Sequence, residues 1–120
     1  MSQSTTLILL PQTAYVNPGN GSPYTVTGNS QPAGAYYLGN KDLQTVNINL
    51  TNCTGNITIE ASLATTPTST DWFKVYELVA DSNANANSSM YTNIEGSYVY
   101  MRAKVEDFSQ GVVNFVKLSY

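Results

Sequence analysis

Apolar and polar residues alternate along nearly every stretch of this chain that carries a pattern. In "LQTVNINL" Val46, Ile48 and Leu50 fall on one side, with Thr45, Asn47 and Asn49 on the other. That period of two is what a half-buried strand needs. Ile57, Ile59, Ala61 and Leu63 alternate with Thr58, Glu60 and Ser62; Val99, Met101, Ala103 and Val105 alternate with Tyr98, Tyr100, Arg102 and Lys104; Val112, Val116, Leu118 and Tyr120 share a further face. These runs predict two hairpins, with further strands at Thr6 to Leu10, Ala35 to Leu38 and Phe73 to Val79, the last pointing Phe73, Val75 and Val79 inward. No window of about 11 residues carries an apolar stripe at helical spacing. Helix is expected at most as one turn around "PTSTDW", capped by Ser69 or Thr70. The Pro- and Gly-bearing stretch from Pro11 to Gly34 and the polar "DSNANANSSM" read as loops.

One local pattern occurs twice. "LTNCTGNITIEASL" and "VEDFSQGVVNFVKLSY" share an apolar residue, a polar residue, Asn or Asp, Cys or Phe, a hydroxyl residue and a glycine before an alternating run. Each copy is expected to turn a hairpin corner. Asn52 or Asp107 would bond the following backbone, Cys53 or Phe108 would tuck beneath, and Gly55 or Gly111 would take positive φ. Six to eight short strands with one apolar face need a second sheet to cover them. The fold class expected is therefore all-β, an antiparallel β-sandwich of jelly-roll-like character with little or no helix.

The length of 120 residues allows one domain. Composition changes the surface expected on it: 42% of residues are hydrophobic and only 11% charged, against about 25% charged in an ordinary domain. Asn, Thr, Ser, Gln and Tyr must therefore cover it, with little charge repulsion to hold neighbours apart. A net charge of −3 with five basic residues leaves no electrostatic footprint for nucleic acid or an anionic membrane, so both are excluded as partners. The apolar run Leu7 to Leu10 is too short for a secretory signal or a membrane span, and the chain is expected to act without export. The sequons at Asn20, Asn49, Asn52, Asn56 and Asn87 are then coincidental.

Candidate chemistry is sparse. The chain has no histidine and one cysteine, which removes Ser-His-Asp and Cys-His arrangements, imidazole metal sites and internal disulfides. Cys53 reads as a small buried hydrophobe. The acidic residues are scattered, and the adjacent pair Glu106 and Asp107 reads as a solvated tip. No cofactor, no metal and no enzymatic activity are expected. Tyr36 with Tyr37, and Tyr98 with Tyr100, are candidates for subunit contacts, for plain sheet surface or for sugar platforms. Trp72 reads as a core plug beside the Phe73 strand.

The run "AYYLGNKDLQTVNINLTNCTGNITIEASLATTPTSTDWFKVYE", with "NIEGSYVYMRAKVEDFSQGVVNFVKLSY", resembles a β-sandwich module of structural proteins of tailed bacteriophages, especially phages of marine bacteria and cyanobacteria. The likeness covers residues 35 to 120 and is carried by "DLQTV", "GNITIEASLATTPTSTDWF" and the terminal "GSYVYMRAKVEDFSQGVVNFVKLSY" together. Cys53, where an aromatic is expected, and the long "DSNANANSSM" insertion depart from it. The resemblance implies a virion component with no catalytic residues, assembled in the host cytoplasm and carried on the particle surface. The leading expectation is a capsid decoration or cement protein whose partners are the major capsid protein, other virion proteins and copies of itself, a trimer being one such assembly. In that reading residues 1–34 form an arm along a neighbour, with Leu7, Ile8, Leu9 and Leu10 buried by the partner, and 35–120 form the sandwich. The alternative is a tail or baseplate adhesin holding host glycans on its exposed tyrosines.

Overall fold

The computed structural model describes residues 6–16, 24–34, 43–81 and 85–120. Its strands are β1 (Thr6–Leu10), β2 (Thr13–Ala14), β3 (Tyr24–Thr27), β4 (Gln31–Pro32), β5 (Leu43–Ser62), β6 (Phe73–Ala80), β7 (Ser89–Glu95) and β8 (Tyr100–Ser119). Every pairing among them is antiparallel, and the described residues contain no helix. The strand expected at Ala35 to Leu38 lies outside them.

Two 20-residue strands, β5 and β8, run side by side along their whole length. Straight, each would measure about 66 Å, against a longest molecular dimension of 46 Å. The ribbon must fold, and it does so where the repeated motif lies. Asn52 and Asp107 take positive φ (47° and 53°), and the β5–β8 register slips around Thr51, Thr54 and Asn56. On one side of the bend, β7 and β1 flank the ribbon; on the other, β6 flanks it opposite β3 and β4. The result is an antiparallel β-sandwich of two sheets drawn from one continuous ribbon. The halves meet at their far ends, where the Tyr120 hydroxyl donates to the Pro32 carbonyl at 2.9 Å although Pro32 pairs with Tyr100 at the opposite end of β8.

The expected hairpins are thus corrected. Neither motif copy reverses the chain; each bends a strand that continues, and the two bends lie against each other. One residue in the left-handed region plus a bulge turns a strand sharply without closing a two-residue loop. Because each bulge also flips the alternation, inward positions pass from Val46, Ile48 and Leu50 to Cys53, Ile57, Ile59 and Ala61, all buried. Cys53 and Phe108 do sit beneath the bends, fully buried. Gly111 has φ +85°, and a side chain there would strike the Asn52 carbonyl of the facing bend; Gly55 does not take positive φ.

The described part of the segment expected as an N-terminal arm pairs within the domain. β1, β2, β3 and β4 all pair with β8, covering an edge that would otherwise present a long row of unpaired backbone groups. A bulge between Ile8 and Leu10 turns Leu9 and Leu10 both inward, to 0% and 2% exposure. Gly28 lies so near the β1 backbone that a side chain would meet the Leu9 carbonyl. Three strands, β2, β3 and β4, lie inside the stretch from Pro11 to Gly34 expected to be loop, and the longest of them, β3, alternates over only four residues. β7 begins inside "DSNANANSSM", and its Ile94 is buried. In β6 the register shift opposite Ile59 and Glu60 makes Val75 the extra residue, so Leu78 and Ala80 face the core and Val79, expected inward, is 50% exposed. Phe73 shares the side of Ala61 but sits at the margin, its ring 5.9 Å from Tyr98.

Candidate functional site

The two sheets have unlike outer faces. On the first, odd-numbered β5 residues face out beside β7, the second half of β8 and β1, giving rows Asn93–Thr45–Ser119–Thr6, Tyr91–Asn47–Lys117–Ile8 and Ser89–Asn49–Phe115. Neighbours within these rows are tied together. Thr45 Oγ1 donates to Asn93 Oδ1 at 2.7 Å, Asn49 Nδ2 to Ser89 Oγ at 3.3 Å, and the Thr6 and Ser119 hydroxyls stand 3.1 Å apart. Asn114 Nδ2 bridges Asn49 Oδ1 and Thr51 Oγ1 at 2.7 and 2.8 Å. Lys117 is the lone charge in these three rows, its ammonium 4.3 Å above the Phe115 ring, and one row beyond Thr45 the exposed Glu95 pairs with Leu43 at the end of the face. Tyr91 and Ile8 stand out at 69% and 47% exposure.

The second outer face is charged. Rows across β6, β5 and β8 bring together Lys74, Glu60 and Arg102; Glu77, Thr58 and Lys104; and Val79, Asn56 and Glu106. Arg102 Nε donates to Glu60 Oε1 at 2.8 Å with both side chains largely covered, and its guanidinium lies 4.3 Å over the Trp72 ring. Trp72 is therefore not the core plug expected. The corner from Pro67 to Asp71 carries it onto the outside, where it is part-buried. That corner is held by Thr68, whose backbone N–H and hydroxyl both donate to Asp71 Oδ2 (2.7 and 3.0 Å) while the Asp71 N–H donates back to the Thr68 carbonyl. The reciprocal bonds form a turn and no helix, so the helical turn expected here, with Ser69 or Thr70 as its cap, does not form. These bonds hold the Asp71 carboxyl below its usual range.

Trp72 and Arg102 line a cleft of about 400 Å³ with Gly28, Asn29, Ser30, Pro67, Thr68 and Ser69. Its walls are the corner before β6 and the turn after β3, with Arg102 from β8 joining them. Among the described residues no three His, Cys, Asp or Glu side chains gather as a metal site. Cys53, buried, has its thiol pushed up to about 11 by desolvation, so it is not a nucleophile at neutral pH.

The residues expected to bind partners are dispersed. Leu9 and Leu10 lie in the domain's own core, Leu7 is half-buried, and Ile8 alone of the four is exposed. Tyr36 and Tyr37 lie outside the described residues. The Tyr98 hydroxyl donates to the Glu95 carbonyl at 3.1 Å, and its ring packs on the core margin. Tyr100, part-buried, opens β8 between Pro32 and Ser62. Tyr98 and Tyr100 therefore form no open aromatic platform. Sequence reasoning missed the Trp72–Arg102 pair, whose partners are thirty residues apart. It also missed Gln44, which is fully buried, accepts from the Gly34 N–H and donates to the Ile94 and Gly96 carbonyls.

No family model matches the chain, and no curated protein matches it in sequence. Among solved structures it is similar to a family 29 carbohydrate-binding module from Piromyces equi, with a TM-score of 0.46 and 11% identity over 98% of this chain and 91% of that one. At that distance the likeness carries no argument about what this chain binds.

Proposed function

We propose that this chain is a non-catalytic structural component of a tailed-phage virion, a decoration or cement protein that sits on the capsid and contacts the major capsid protein, other virion proteins and copies of itself. The supporting observation is the first outer face: two rows of Thr, Asn and Ser side chains bonded to one another on either side of a row that holds Asn47 and the single charge of the three, between exposed Tyr91 and Ile8. Such a face loses less on desolvation than a charged one, because several of its polar groups already bond to one another and few ions must be stripped of water. Four strands by three rows cover roughly 400 Å², about half the 800 Å² per partner of a standard interface. One such contact is weak, and an array of copies engaging together supplies the rest.

Purified protein added to capsids that lack it should bind and raise their melting temperature. Asn47→Glu, which places a charge at the centre of the face, should abolish binding while leaving the protein's own melting unchanged. Failure of the unaltered protein to bind, or undiminished binding by the variant, sinks the reading. A second reading, an adhesin for host glycans, is favoured by one feature, the cleft beside Trp72 on the opposite sheet.

A further inference from the structure

The cleft lies on the face that a capsid-docked copy would turn to solvent, and its lining is selective. Trp72, part-buried, lines the wall with the Arg102 guanidinium over its ring, and the part of the indole left open to the cleft is the kind of surface on which the C–H-rich side of a pyranose ring packs. Asn29, Ser30, Thr68 and Ser69 are exposed around it, and amide and hydroxyl groups both donate and accept, as neighbouring sugar hydroxyls do. Arg102 uses Nε on Glu60, and a guanidinium has four further N–H donors in a planar fork that can span two adjacent hydroxyls. Glu60 balances its charge, so the cleft has no net charge with which to prefer an anion. The indole beneath and the carboxylate beside it hold the guanidinium in one orientation before any ligand arrives, which lowers the ordering cost of binding. A volume near 400 Å³ lies at the small end of ligand pockets, about 300–1,000 Å³.

We propose that the Trp72–Arg102 cleft is a binding site for a neutral pyranose unit of a larger glycan, with Trp72 as the packing surface, Arg102 as the hydroxyl-spanning donor and Glu60 as the residue that positions it. The assignment rests on the adhesin reading for where such a sugar would be met, and its chemistry rests on the cleft alone. Shallow, single-site binding of this kind is weak in isolation, and many copies on one particle would multiply it.

The test uses the full chain on an array of glucose-, galactose- and mannose-terminated oligosaccharides alongside sialylated and sulfated ones, followed by titration of the best neutral oligosaccharide in solution. Trp72 is the single tryptophan, so its fluorescence should shift on binding and report the cleft directly. Arg102→Ala and Trp72→Ala should weaken binding at least tenfold. Ser69→Asp, an exposed change that obstructs the cleft without touching the core, should do the same with an unchanged melting temperature, which guards against misfolding of the other two. Binding of neutral sugars that survives Ser69→Asp without a fluorescence change would overturn the cleft assignment and leave the adhesin reading standing. Binding of acidic glycans alone would overturn the neutral assignment, and binding of none would overturn both.

Discussion

Asn52 and Asp107 carry the bend because Asn and Asp, after glycine, tolerate the left-handed region best. Asp107 is exposed and held there at φ 53°, so backbone preference alone governs it. Asp107→Gly should leave stability unchanged or slightly raised, whereas Asp107→Val should cost about 1–2 kcal/mol, read as a lower midpoint in urea. Gly111→Ala faces a harsher constraint, since the new methyl would meet backbone of the opposite bend, which cannot move aside as a side chain can. It should cost about 3 kcal/mol or more, and a mild effect would mean that the two bends are not in contact. Cys53, at zero exposure with its thiol pushed up to about 11, should resist a thiol reagent at pH 8 in the folded protein and react at once in denaturant. Fast labelling of the native state would place it elsewhere.

At the scale of elements, strands marked by a cluster of apolar residues are legible in the sequence, whereas which of their residues face inward is misread wherever a bulge changes the parity. Thr6–Leu10 and Phe73–Ala80 were recognisable because their apolar residues cluster. β5 and β8 each looked like two strands because a bulge flips inside for outside halfway, which is the signal a hairpin also gives. β3 was obscured by surrounding glycine and proline, although Tyr24 packs into an aromatic group with Tyr15 and Phe108, centroids 5.4 and 5.7 Å apart, beneath the bend. The corner before β6 offers a pH test. The Asp71 carboxyl is held below its usual range by Thr68, so its contribution is complete above the ordinary aspartate pKa of about 3.9 and is lost as acid takes pH down through the folded value. Trp72 emission should therefore change below pH 4 before the core unfolds, and Asp71→Asn should remove that early step. A single transition in both proteins would refute the coupling.

For the whole molecule, the sandwich followed from alternation and size, while its two unlike faces did not. Which polar residues share a row depends on register across strands some seventy residues apart, such as Thr45 opposite Ser119, and alternation within one strand cannot reveal it. The Trp72–Arg102 cleft was hidden for the same reason. Charge separation between the faces carries a further expectation. Because the first face holds one ion in its three rows, capsid binding should change little between 50 and 500 mM salt, where an ion-paired interface would weaken; a steep loss with salt, measured by co-sedimentation, would move the docking surface to the other sheet.

β8 is the common neighbour of β1, β2, β3, β4 and β5. As the ribosome delivers this polypeptide, the first four of these emerge well ahead of the one strand they pair with, from 70 residues for Gln31 and Met101 to 113 for Thr6 and Ser119, and must wait for it with Leu9 and Leu10 uncovered. Maturation of the nascent protein is therefore held back to the moment that segment clears the exit tunnel, and a cell that stalls translation before it would be left with an adhesive fragment and no domain.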